Sequence, residues 1–212
     1  MTTRTSQLWA QQDRHPGDRQ RLFTTVSAEV PVSSVLYPGS YVDIAPSFVF
    51  DDVTYVDTDR RARQFFDDSE GVDQIISQHR QPGSSSKWHF VQADYTTDLE
   101  LPRGHFDLLV SLYAGFVSEH CTRYLRPGGH LLANSSHGDV AMASIDSGYH
   151  LVAVIKSRSG NYTVSTNELD TYLVPKRPTT ITANTLHRSG RGVGYTKSAF
   201  AYLFQHRDPG SR

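Results

Sequence analysis

Chemistry in this chain gathers at a few points where polar residues end apolar runs. The run Val53-Thr54-Tyr55-Val56 ends on Asp57, with Thr58 and Asp59 next; Phe90-Val91 is followed by Asp94 and Tyr95. A carboxylate at the end of a strand in an open α/β sheet can accept hydrogen bonds from both hydroxyls of a nucleotide ribose. An acid beside an aromatic can take the amine of a base and stack on its ring. Asp57 is the first choice for the ribose, with helix capping by Asp57 or Asp59 as the alternative; Asp94 is equally suited to a turn. A third polar group, Asn134-Ser135-Ser136-His137, follows the apolar run His130–Ala133. His137 is its candidate general base, because an imidazole titrates near ~6.5 and can take a proton close to neutrality. The competing reading is an exposed turn, with Ser136 capping the next helix.

The elements that must position these groups can be read from periodicity. Residues 33–59, SSVLYPGSYVDIAPSFVFDDVTYVDTD, hold two β-branched runs around Pro38-Gly39 and a brief apolar turn, which predicts strand, short helix, strand and the start of a parallel βαβ unit. DRRARQFFDDSEG predicts a helix with Ala62, Phe65 and Phe66 inward and Gly71 as its stop, and DQIISQHR another short helix. KWHFVQADY predicts a third strand. FDLLVSL, apolar throughout, suits a central fourth strand, with Asp107 at the end away from the rim and Ser111, Leu112 and Tyr113 at the productive end. FVSEHCTRYLRP predicts a helix stopping at Pro127-Gly128-Gly129, before HLLANSS as a fifth strand and GDVAMASID as a helix. Further on, YHLVAVIKS, NYTVSTN, DTYLVPK and SAFAYLFQHR alternate like strands. Near the start, Leu22, Phe23 and Val26 share a helical face and Pro31 ends that helix.

The order VLYPGS, TYVDTD, FVQADY, FDLLVSLY and YLRPGGHLLANSS resembles the class I S-adenosylmethionine-dependent methyltransferases over roughly residues 32–136. That resemblance implies a Rossmann-like three-layer α/β sandwich, with a mostly parallel seven-stranded sheet and an antiparallel last strand. It divides the chain into a helical segment, 1–31, and a methyltransferase-like domain, 32–212, with an insertion at about 160–197. S-adenosylmethionine is the implied cofactor. Tyr37, Gly39, Ser40, Asp57, Thr58, Asp94, Tyr95, Ser111 and Leu112 are its implied contacts. Tyr113, Asn134 and Ser135 are the candidate substrate contacts, and His137 the catalytic one. The first loop departs from the family pattern acidic-x-Gly-x-Gly-x-Gly: it reads Tyr37-Pro38-Gly39-Ser40, with no second glycine. That departure keeps a second reading open, a non-catalytic or regulatory binding protein on the same scaffold. A nicotinamide-dependent oxidoreductase is a third, disfavoured by the missing Gly-x-Gly-x-x-Gly fingerprint. RSGRGVG follows no clear strand and lacks the ending of a phosphate loop.

Composition sets the bounds. The 212 residues, 37% hydrophobic and 20% charged, fit one substantial domain with a single core, with or without a small appendage. No apolar run is long enough to cross a bilayer and the first residues have no apolar signal core, so a cytoplasmic protein without membrane partners is expected. The single cysteine, Cys121, excludes an internal disulfide and reads as a buried thiol; the ten scattered histidines offer no metal-ligand spacing. The net charge of -1 hides an asymmetry: residues 31–150 carry 8 Lys and Arg against 16 Asp and Glu, residues 151–212 carry 9 against 3. A basic C-terminal part suits an anionic substrate or partner, or simply neutralises the acidic part within the fold. A small-molecule substrate is expected; nucleic acid is left open without being indicated. The methyl acceptor and the oligomeric state are not encoded in any motif.

Overall fold

The structure, a computed structural model, describes residues 4–178 and 180–207. The chain divides into two compact units, Met1–Leu99 and Glu100–Arg212.

In the first unit three short strands, β1 (Ser34–Pro38), β2 (Asp52–Val56) and β3 (Lys87–Val91), pair in parallel in the order β3-β2-β1. Every residue of β1 is buried, as is all of β2 beyond Asp52, which is what a strand covered on both faces requires. The β1–β2 connection is a loop and a single 3₁₀ turn, Ala45–Phe48. Helices α1 (Arg4–Gln12) and α2 (Asp18–Glu29) precede β1, and α3 (Arg60–Phe66) and α4 (Ser69–His79) join β2 to β3. Leu22, Phe23 and Val26 of α2 are fully buried, as their spacing predicts. Asp59 caps α3 by accepting from the Arg61 amide at 2.7 Å. Gly71 is not a stop: it lies in the first turn of α4, where its N–H is capped by Asp68 at 3.1 Å. A Cβ at Gly71 would sit 2.4 Å from that capping carboxylate, so glycine here makes room for a helix start.

The second unit holds five strands in the order β4-β5-β8-β6-β7: β4 (Phe106–Ser111), β5 (Leu125–Ala133), β6 (Tyr149–Arg158), β7 (Asn161–Ser165) and β8 (Ala201–His206). β4 and β5 are parallel and the other pairings antiparallel, so the strands described number eight, not seven. The additional strand is β7, a hairpin partner to β6. The expected helix over 116–127 is cut short as α5 (Val117–Cys121) with a 3₁₀ turn, because β5 already begins at Leu125 and runs through Pro127-Gly128-Gly129. Gly128 takes the φ of 75° that such a start needs, and Leu125 covers Gly129 too closely for a Cβ there. DTYLVPK is a 3₁₀ turn, Leu169–Leu173, with Tyr172 buried, and not a strand. Helix α6 (Asp139–Ile145) is preceded by Gly138 in the left-handed conformation; Ser136 does not cap it. Asp139 is instead fully buried and accepts from the Ser118 amide at 3.1 Å, which ties α6 to the start of α5. Helix α7 (Ala183–Ser189) lies within the insertion and packs Leu186 on Ala141 and Met142 of α6. Asp107 is paired with Arg126, a structural role. No helix among the described residues is long and apolar enough to cross a membrane.

Two buried titratable groups in this unit have no link to the rim. Burial pushes the Cys121 thiol up to about 12, with nearby Asp139 adding to the shift and Arg123 opposing it, so at neutral pH the thiol is an uncharged core side chain. Burial lowers the His130 imidazole to about 4, with Arg126 and His150 acting the same way and Asp107 against it. An unfolded histidine titrates near ~6.5. As pH falls below that value the unfolded chain takes up a proton that the folded chain refuses, so His130 contributes fully to stability above it and progressively less down to about 4. Urea midpoints should therefore fall between about pH 7 and about pH 5, and His130→Leu should flatten that fall. An unchanged pH profile in the variant would exclude His130 as its source.

Candidate functional site

Asp57 follows the last residue of β2 and stands where two cavities of the first unit meet. One, of about 150 Å³, is lined by Gly39, Asp57, Thr58, Asp94, Tyr95 and Thr96. The other, of about 470 Å³, is lined by Asp57, Asp59, Tyr41 and Arg61, with Gln11, Gln12 and Arg14 from α1 and the loop after it. Both volumes together fall in the range of small-molecule and cofactor sites. Asp57 is half-buried and fixed by the backbone: Oδ2 accepts from the Tyr41 amide at 2.7 Å and Oδ1 from the Asp59 amide at 2.8 Å. An ionised carboxylate has about four acceptor positions. Each oxygen thus keeps acceptor capacity while the group's direction is set.

The first loop is shaped by two left-handed residues, Gly39 at φ 66° and Tyr41 at φ 49°. The Gly39 and Ser40 amides both point to the Val56 carbonyl, at 2.8 and 3.4 Å, binding the loop to the end of β2. Tyr41 pays for its conformation with the amide bond to Asp57, and its ring lies under the Arg61 guanidinium, 5.2 Å from the centroid. Arg61 also reaches Asp59 at 2.8 Å, holding that carboxyl below its usual range; Asp59 is the cap and Asp57 the rim acid.

Five of the predicted cofactor contacts, Gly39, Asp57, Thr58, Asp94 and Tyr95, line the smaller cavity. Asp94 is also a turn residue, its Oδ1 accepting from the Thr96 amide at 2.9 Å and the Thr96 hydroxyl at 2.8 Å. The Tyr37 side chain is buried, and its hydroxyl donates to Asp43 at 3.1 Å and accepts from Arg19 at 3.4 Å. Ser40 is likewise buried behind the loop.

The remaining predicted residues lie in the second unit, at the adjoining ends of β4 and β5, where the Asn134 amide donates to the Ser111 carbonyl at 3.1 Å. Ser111 and Leu112 are buried, and the Ser111 hydroxyl donates to the Ala114 carbonyl at 3.4 Å. Tyr113, at φ 68° and 58% exposed, is the exposed member of that turn. Asn134 is buried and accepts from the Ser136 amide at 3.1 Å, closing the turn that presents the exposed His137. The insertion rests on this turn: the Gly192 amide donates to the Ser136 carbonyl at 3.2 Å, and a Cβ at Gly192 would fall 1.6 Å from the Ser135 oxygen.

No family model matches the chain, and no curated protein does. Among solved structures, the O-methyltransferase TomG of Streptomyces achromogenes, in complex with S-adenosylmethionine, is similar at 11% identity over 94% of this chain and 86% of that one, with a TM-score of 0.50. TehB of Haemophilus influenzae is similar at 9% identity over 96% and 67%, also with a TM-score of 0.50. The fold is that of the class I S-adenosylmethionine-dependent methyltransferases. A Methanococcus maripaludis protein described as an S-adenosylmethionine-dependent methyltransferase matches over 60% of each chain at 13% identity, with a TM-score of 0.46.

Within this methyltransferase fold, sequence reasoning missed five residues of the larger cavity: Gln11, Gln12, Arg14, Tyr41 and Arg61. The first three belong to a polar stretch whose helix is held by a tertiary contact, Trp9 edge-on to Phe48 at 5.4 Å. Tyr41 and Arg61 were readable in part, since a loop short of glycine needs another left-handed residue and a cation two places after a cap can fold back on it.

Proposed function

We propose that the chain binds S-adenosylmethionine in the first unit and transfers its methyl group to a small-molecule acceptor. What carries this reading is Asp57: a strand-end carboxylate locked by two backbone amides, with acceptor positions left over, at the junction of two cavities. The charges of the larger cavity suit the cofactor too. Asp57 and Asp59 line it together with Arg14 and Arg61, and the cofactor's amino acid end is a zwitterion. When bound, the cofactor supplies a methyl group already activated by a sulfonium, so the protein needs to align and dry the reactants more than to activate them.

In this reading Asp57 holds the ribose, Asp94 and Tyr95 the adenine, and the Gly39–Tyr41 loop the methionine end. Tyr113, Asn134 and Ser135 meet the acceptor, and His137 takes the proton of a hydroxyl acceptor. Calorimetric titration with S-adenosylmethionine and S-adenosylhomocysteine tests the cofactor: micromolar binding is expected, and no binding by the folded protein would overturn the proposal. Once an acceptor is in hand, His137→Ala should slow turnover and leave cofactor affinity alone; full turnover would remove His137 from the mechanism.

A second reading, a binding protein without transfer, is favoured by the same loop. Tyr41 stands in a left-handed position with its amide committed to Asp57, and Gly39 is the single glycine between Pro38 and Asp43. Failure of the folded protein to bind either cofactor form would select it.

A further inference from the structure

The insertion contains a cavity of its own. Segments 174–177 and 192–196 run antiparallel, joined by the Lys176 amide on the Gly194 carbonyl and the Thr196 amide on the Val174 carbonyl, both at 2.8 Å. Tyr195 anchors the pair in the core, 2% exposed and 6.2 Å from the Tyr202 ring. Pro175, Lys176 and Arg177 on one side and Gly192, Val193 and Gly194 on the other line an open cavity of about 340 Å³.

Three features give this cavity a chemistry. Lys176 and Arg177 both line it, and among the described residues neither is in an ion pair, whereas Lys197 nearby in sequence is paired with Glu168 at 2.9 Å. Pro175 and the part of Val193 not packed on the Ala141, Met142 and Leu186 cluster supply apolar surface, which hydrated inorganic ions do not need. Gly192 presses directly on the Ser135 carbonyl and bonds Ser136, so the cavity adjoins the turn that ends β5. The volume suits a ring-sized ligand.

We propose that this cavity is an organic-anion site, taking the carboxylate of an aromatic or similarly compact acid on Lys176 and Arg177 and its apolar body on Pro175 and Val193. Under the methyltransferase reading, on which this step rests, the methyl acceptor is such an acid. The surplus of cations over residues 151–212, nine Lys and Arg against three acids, then serves to draw the acid in.

The probes are benzoate and its neutral isostere benzamide, titrated into ¹⁵N-labelled protein while the amides of Lys176, Gly192, Val193 and Gly194 are followed. Benzoate should shift these amides saturably and bind at least about tenfold more tightly than benzamide, since the charge-assisted contacts are absent from the amide. Lys176→Met with Arg177→Met should abolish that preference, and Lys156→Met with Arg158→Met, the same charge change on β6, should keep it. Equal binding of the two probes, no shift at these amides, or equal loss in both double variants would overturn the proposal. S-adenosylhomocysteine titrated into the same samples separates the two readings: if it fails to bind while benzoate saturates the 192–194 amides, the anion site stands and the transfer reading falls.

Discussion

Asp57→Asn should weaken S-adenosylhomocysteine binding by about 10- to 150-fold, equivalent to about 1.5 to 3 kcal/mol, the range for hydrogen bonds to a charged group. The variant keeps the volume of the rim residue but removes its charge and exchanges one acceptor oxygen for a donor. Both oxygens are already in use by the Tyr41 and Asp59 amides, so the new NH₂ must face one of these N–H groups. Some stability is therefore lost along with affinity, and the two must be read separately. Calorimetry gives the affinity and a urea titration the stability of the same sample. A large loss of affinity with a small shift in midpoint identifies Asp57 as a ligand. Unchanged affinity would sink the ribose assignment, and the Asp57 carboxylate would then be only the clasp of the first loop.

How far the sequence foretold this site depends on whether local pattern or tertiary contact decides each element. β1, β2 and β4 were legible as mostly apolar runs and β3 as a polar–apolar alternation, and Asp57 followed from the end of β2. The helices and turns were harder wherever glycine serves a neighbour. Gly71 reads as a helix stop, yet it opens α4 because the Asp68 cap needs its space. Pro127-Gly128-Gly129 reads as a break, yet it lies within β5, since Gly128 takes a positive φ and Leu125 folds over Gly129. Tyr37 reads as a rim residue from its neighbours in the chain, but the strand's alternation turns it toward Arg19 and Asp43. Nothing local announces that α1 brings Gln11, Gln12 and Arg14 to the cavity; the cause is Trp9 against Phe48, a contact spanning 39 residues. The cavity of the insertion was foreshadowed only as a charge surplus, because the pairing of segments 174–177 and 192–196 is fixed by Tyr195 in the core and by the bare backbone of Gly192 on Ser135.

The buried cluster behind the first loop should carry the largest effect on stability. Arg19 of α2 reaches Asp43 at 3.0 Å; Asp43 is 1% exposed, and its Oδ2 also accepts from the Tyr37 hydroxyl at 3.1 Å. Its other oxygen accepts from the Ala45 amide at 3.3 Å, at the start of the 3₁₀ turn. Burial, with the Asp43 charge adding to it, pushes the Tyr37 phenol well above its ordinary value, so that hydroxyl stays a donor at any physiological pH. Asp43→Ala would remove the acceptor from both and strand the Arg19 charge in the interior, at a cost of about 3 to 5 kcal/mol. Against a typical total of about 5 to 15 kcal/mol, that leaves the variant partly unfolded or close to it. The penalty belongs to the unpaired charge and not to the loss of the pair as such, so adding Arg19→Met to Asp43→Leu should recover most of it. Urea midpoints of the single and double variants decide between the two: equal losses would mean that the cluster acts by packing alone. The double variant has a further use, because α2 grips the first loop through this pair. A stable Arg19→Met, Asp43→Leu protein with reduced S-adenosylhomocysteine affinity would show that the cluster sets the aim of the Gly39–Tyr41 backbone.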